Sequence, residues 1–231
     1  MDNYFELLID LPKRGMKKSS LFAWFHFLLW VFLGMHLSAA DSSSSKVEWN
    51  VKLPMPVTSF GACSAGNFLY VYGGHTGEAH VYSKKTHSHH FGRVNLREGE
   101  KWESLPFNRP LQGFGMAGHK GKIYLSGGSE ATNEDGKKSN LSSLAEVSVF
   151  NPKTKKWKDL TSLPKPRSSH EMVAHKGKLY VIGGWNMQDG KGGEWHHHGL
   201  VADLSENPIK WRKLPRTEWK VRANSAAVVG N

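Results

Sequence analysis

Past residue 57 the chain alternates short apolar and polar stretches, and no stretch there repeats at a helical period. Three apolar runs stand out: FLYVYGG (68–74), KIYLSGG (122–128) and KLYVIGG (178–184). Each ends in a diglycine, and each follows a tight turn: AGNF (65–68), HKGK (119–122) and HKGK (175–178). Glycine in such a turn supplies the positive φ that a short hairpin link requires. In the third copy, SSHEMVAHKG predicts a first strand and KLYVIGG a second, apolar enough to be buried on both faces. A long polar loop follows, then LVADLS and KWRKLP as third and fourth strands.

The markers keep a common period. Gly73-Gly74, Gly127-Gly128 and Gly183-Gly184 are spaced by 54 and 56 residues. Trp49, Trp102, Trp157 and Trp211 follow at 53, 55 and 54, each leading into a Leu-Pro. Two unrelated markers on one period establish a repeat. Four short antiparallel strands per repeat read as one blade of a β-propeller. The order of apolar run, Gly-Gly, variable loop, strand and Trp resembles the kelch repeat, over residues 47–231. The kelch pattern also places a Tyr between the diglycine and the Trp. Leu96, Phe150 and Leu204 stand near those places here, and apolar packing survives the change.

The expected fold is therefore all-β: a kelch-type propeller with an incomplete ring of three full four-stranded blades and partial blades at both ends. The units fall at about 47–53, 58–107, 112–163, 168–215 and 221–231. The diglycines are read as sharp turns where a Cβ would clash. The four Trp are read as apolar plates between neighbouring blades. VEWNVKLP at the start supplies only a fourth strand, and RANSAAVVGN at the end only a first strand. At ~54 residues per blade a six-bladed ring needs roughly 320 residues. The resemblance is thus to an exported, bacterial-type kelch protein in truncated form. Its missing blades would come from a continuation of the chain or from a second chain.

The only long apolar run, LFAWFHFLLWVFLGMHL (21–37), follows Lys17-Lys18 and precedes Ser38-Ala39-Ala40. Small residues at the third and first positions before a cut predict a signal peptide over 1–40, cleaved after Ala40, with Met16 as the better start. A polar spacer (41–46) follows. The alternative is an uncleaved membrane anchor with the propeller outside the cytoplasm. Both readings make the module secreted or periplasmic, without nucleic-acid contact and with membrane contact only through an uncleaved segment. No Cys follows the apolar core, which excludes bacterial lipoprotein processing.

Composition sharpens this in two places. A single cysteine, Cys63, excludes an internal disulfide framework and any Cys-based zinc site, and it reads as a small core residue. A net charge of +11 on an exported chain favours acidic polysaccharide, cell wall or anionic membrane as neighbours. Of the 13 His, most gather in the polar loops 75–90 and 185–199, which share one rim with loop 129–143 and the Pro-rich linkers. Consecutive His point apart on an extended chain, so HHH (196–198) is no ready-made metal site, and no cofactor is expected. The best candidates for a polar-aromatic binding rim are His75, His80, His170, Trp185, Trp195 and His196. Carboxylate pairs such as Glu134-Asp135 read as solvated charge. The expected function is a protein- or carbohydrate-binding scaffold module. The resemblance also implies two enzymes. One is a periplasmic sugar epimerase of the sialic acid mutarotase type, with His170 or Glu171 as acid or base. The other, minor, is a galactose-oxidase-like copper enzyme, for which Cys63 lacks the matching context.

Overall fold

The computed structural model describes residues 51–99, 101–188 and 193–230. The predicted leader, the spacer, Trp49 and the start of the first partial unit lie outside the described residues.

Two four-stranded antiparallel sheets and one of five strands follow one another along the chain as the blades of a propeller do, the expected all-β architecture. Blade 1 holds β1 (Gly61–Ala65), β2 (Phe68–Tyr72), β3 (Phe91–Asn95) and β4 (Glu103–Ser104). Blade 2 holds β5 (Gly115–His119) and β6 (Lys122–Ser126). A loop hairpin of β7 (Ser129–Ala131) and β8 (Leu141–Ser143) follows, then β9 (Val147–Asn151) and β10 (Lys156–Leu160). Blade 3 holds β11 (Ser168–His175), β12 (Lys178–Met187), the short β13 (Gly193–Trp195), β14 (His198–Asp203) and β15 (Trp211–Arg216). Each blade pairs four strands in chain order, and β13 adds to β12 in blade 3. A 3-10 turn at Lys84–Thr86 is the only helical element among the described residues.

Successive blades pack face to face, so the core consists of two layers between blades, and blade 2 is covered on both sides. One layer joins Tyr70, Tyr72 and Phe91 of blade 1 to Phe114, Ile123 and Phe150 of blade 2, with Trp157 packed at its margin. The next joins Tyr124 and Val147 to Met172, Leu179, Val181 and Leu200, with Trp211 at its margin. Trp102, Trp157 and Trp211 are only partly buried, yet each indole N–H reaches the preceding linker. Trp102 donates to Lys52 O (2.9 Å), Trp157 to Pro106 O (2.7 Å) and Trp211 to Thr161 O (2.9 Å).

The diglycines lock the next linker in place. Gly74, Gly128 and Gly184 donate their N–H to the carbonyls of Leu111, Arg167 and Val221, each at 2.7–2.8 Å. Gly73 and Gly74 have φ of +57° and +100°. A Cβ on Gly74 would stand 2.6 Å from Thr58 O, so space and conformation both require glycine there.

Two segments differ from the sequence reading. Strand β12 does not stop at its diglycine but runs on to Met187 and folds back on β13, pairing Trp185 with Trp195. Residues 221–230 form no strand; they make linker contacts, through Val221 O and through the Ala223 N–H donated to Ser169 O (2.8 Å). Among the described residues no strand pairs with 221–230.

Candidate functional site

The three long loops after β2, β6 and β12 leave the same end of the blades, opposite the Lys120-Gly121 and Lys176-Gly177 turns. They are tied into one ordered rim. Between the first and second loops, the Lys84 N–H donates to Asn133 O (3.0 Å) and Asn133 Nδ2 donates to Tyr82 O (2.7 Å). Tyr82 N–H donates to Ser139 Oγ (3.0 Å). Lys84–Glu134 (2.6 Å) and Lys85–Asp135 (3.1 Å) add two exposed ion pairs. Their net worth in water is small, but they register one loop against the other. Lys85 first, then Ser83, holds the Asp135 carboxyl below its ordinary range. Between the second and third loops, Ser143 Oγ accepts the Met187 N–H (2.8 Å) and shares a hydrogen bond with Ser168 Oγ (2.7 Å).

The predicted rim residues fall into separate places. His75 is buried in the first loop, where its Nε2–H donates to Val81 O (2.9 Å), while His80 is exposed with φ of +65°. His170 is only 4% exposed, and its Nε2 shares a hydrogen bond with Ser126 Oγ (2.9 Å) of the preceding blade. That position lies within the packing between blades. Trp185 and Trp195 face each other at 5.9 Å, and the Arg222 guanidinium lies 4.0 Å over the Trp185 ring. Among the described residues no three His, Cys, Asp or Glu side chains converge on a metal-sized site.

Trp195 and His196 do open onto a cavity of about 320 Å³ at the rim of blade 3. Its other walls include Lys165, Arg167, Glu194, Leu200, Lys213 and Arg216. Linker 164–167, the end of β13 and the ends of β14 and β15 bring these side chains together. Lys165 pairs with Glu194 at 2.7 Å. Arg167, 3% exposed, donates to the carbonyls of Gly183 and His198, and its Nε–H is buried without a partner. Burial pushes its guanidinium down to about 10, which still leaves it cationic at neutral pH. His196 donates from Nε2 to Pro166 O (2.9 Å); burial first, then Arg167, lowers its pKa, so the imidazole is neutral there. The positive charge of this groove is thus carried by Lys and Arg.

Blade 2 has a cavity of about 440 Å³ at the same register. Ser148 faces Asp159 across β9 and β10, as Leu200 faces Lys213 across β14 and β15. There acid is in excess: the one lining cation, Arg109, pairs with Glu146 (2.9 Å) and approaches Glu130 (3.9 Å), and Asp159 lines the cavity as well. Lys165, Arg167, Lys213 and Arg216 escape a sequence reading because a linker and two strands bring them together. Only an alignment of the repeats, with Arg167 over Leu111 and Lys213 over Asp159, carries the signal.

Comparison with known proteins agrees with this architecture. The family model described as the KLHDC2/KLHL20/DRC7 Kelch-repeats domain matches residues 32–231. Kelch-like protein 41b of Danio rerio is 32% identical over 167 residues, covering 68% of this chain and 25% of that protein. Kelch-like protein 40 of Xenopus tropicalis is 30% identical over 176 residues, covering 73% of this chain and 26% of that protein. The matched chain thus spans about a quarter of the length of these relatives. The solved structure of YjhT superposes with a TM-score of 0.55 at 18% identity, covering 73% of this chain and 54% of that one, and speaks to the fold alone.

Proposed function

This chain belongs to the kelch-repeat family, and from that premise we propose that it is a scaffold module that binds a partner protein through the rim of its long loops. Kelch-repeat modules bind protein partners, which supports the class of ligand. The observation that carries the reading is the lacing of the loops after β2 and β6 across two blades, through Asn133, Tyr82, Ser139 and the Lys84–Glu134 and Lys85–Asp135 pairs. A rim held in one arrangement by rigid blades loses little entropy on binding, which is what a recognition surface needs. Arg222 over the Trp185 ring weighs against carbohydrate, because a sugar would need that aromatic face free. The apolar run and small residues at 21–40 support export of the module, and the N-terminal sequence of the mature chain, expected at Asp41, tests that part.

A photo-crosslinking residue placed at His80 or Trp195, on the rim, tests the binding surface against the same residue at Lys120 or Lys176, on the opposite turns. Crosslinks to one discrete protein from the rim positions alone are expected. Equal crosslinking from the opposite turns, or none from the rim, removes the proposal.

A further inference from the structure

We infer that the groove of blade 3 is a binding site for a phosphomonoester dianion carried by the partner, held by Arg167, Lys165, Lys213 and Arg216 against the wall formed by Trp195 and Leu200. This rests on the protein-binding reading and specifies what that rim recognises.

The first argument is Arg167. Its position recurs at Val57, Leu111, Arg167 and Val221, spaced by 54, 56 and 54 residues. The last three give their carbonyl to the second glycine of a diglycine in the same way. Val57 packs at the first diglycine, where a Cβ on Gly74 would meet its Cγ2 at 2.5 Å. Three of the four are apolar, so the fold does not require a cation there. Arg167 is nonetheless buried with no carboxylate against it among the described residues, and its Nε–H has no partner. A buried charge left without a counter-ion is strongly unfavourable, and an anion in the groove supplies one.

The second argument is charge. Among the described residues only Glu194 opposes the four cations of the groove, and it is engaged by Lys165. Among the described residues Lys213 and Arg216, both exposed, make no ion pair, whereas blade 2 has Asp159 where blade 3 has Lys213. A single carboxylate neutralises one of the three remaining charges. A phosphomonoester brings about −1.5 to −2 at pH 7 and three acceptor oxygens, which suits a buried guanidinium lining the groove beside two exposed cations. Trp195, half-buried at the edge of the groove, gives the carrier of the phosphate an apolar surface.

The test is titration calorimetry of the full chain at low ionic strength with O-phosphoserine, serine and inorganic phosphate. Saturable 1:1 binding of O-phosphoserine is expected, tighter than inorganic phosphate, with serine inert. Lys213→Asp and Arg216→Ser, both at exposed positions, should each weaken it by about tenfold, and added salt should weaken it further. Arg167→Leu, which restores the apolar type used in the other repeats, should abolish it. No heat with O-phosphoserine, affinities unchanged in the Lys213 and Arg216 variants, or tighter binding of inorganic phosphate each overturn the inference. Failure here with rim crosslinks intact leaves the binding module standing and removes only the phosphate.

Discussion

The Ser169 N–H donates to Gly113 O at 2.6 Å, joining the entrance of blade 3 to the entrance of blade 2. The same bond recurs one repeat earlier, from Gly113 N–H to Ser59 O (2.9 Å), and one later, from Ala223 N–H to Ser169 O (2.8 Å). All four residues sit at φ between +51° and +58°. This backbone relay crosses from blade to blade, and it needs a left-handed residue in every repeat, three of them not glycine.

Gly113→Ala should therefore cost more than the left-handed conformation alone. A Cβ there stands 3.3 Å from Ser169 N, the donor of the relay. Gly66→Ala is the comparison: φ is +59° and no atom lies within 4 Å of the new Cβ. Gly66→Ala should lose about 1 kcal/mol and Gly113→Ala about 2 kcal/mol in urea denaturation. Equal losses would show that the relay has room to spare.

The sequence exposes features whose demands are local. Gly73-Gly74 and its two copies are visible because a Cβ on either glycine would run into neighbouring atoms and the second glycine sits at φ of +87° to +100°, and the Trp series because each indole needs the same linker carbonyl about 50 residues back. The relay is hidden because Ser59, Ser169 and Ala223 carry no chemical sign of positive φ. The lacing of Lys84-Lys85 to Glu134-Asp135 is hidden because pairs 50 residues apart look like solvated charge until two loops are placed side by side. The extension of β12 to Met187 escapes because the Trp185–Trp195 pairing is decided across a turn. The groove needs the strand register that sets Lys213 beside Leu200.

Trp157 should behave as a joint between blades 1 and 2. Its ring stands 5.0 Å from Phe150, 5.4 Å from Phe91 and 5.7 Å from Tyr72. Trp157→Ala should destabilise by ~3 kcal/mol, the lower end for large aromatics because the indole is only partly buried. Trp157→Phe keeps much of the packing and loses the bond to Pro106 O, so about 1 kcal/mol is expected. An unfolding midpoint that barely moves in Trp157→Ala would deny the indole this role.

Cys63 packs against the first core layer, and burial pushes its thiol up to about 12. The thiolate is the reactive species, so at pH 8 a disulfide reagent should modify the native protein roughly 1000-fold more slowly than a free thiol. In denaturant the rate should rise to that of an ordinary cysteine. Fast modification of the native chain would place the sulfur outside the packing.

His170 gives the fold a dependence on acid. Burial first, then the positive charge of Arg167, then His196, pushes its pKa down to about 3, against ~6.5 in an unfolded chain. Between those values the unfolded chain binds the proton and the native one does not, so the stability contributed by neutral His170 is complete above pH 6.5 and is lost as pH falls toward 3. At ~1.4 kcal/mol per pH unit the loss reaches several kcal/mol. His87, His90 and His196 are shifted the same way and add to the slope. The carboxylates held low by their partners, such as Glu103 beside Lys155 and Arg93, act only below about pH 4.5. Glu171, whose carboxyl burial pushes up, acts in the opposite direction as pH falls, so over pH 6.5 to 5 it is the difference between wild type and a His170 variant that reads the histidine. Urea denaturation across this interval should show wild-type stability falling with pH, and His170→Gln, though less stable at pH 7, should show a visibly shallower fall. Parallel slopes for the two proteins would mean that the His170 ring takes up its proton without leaving its place against Ser126.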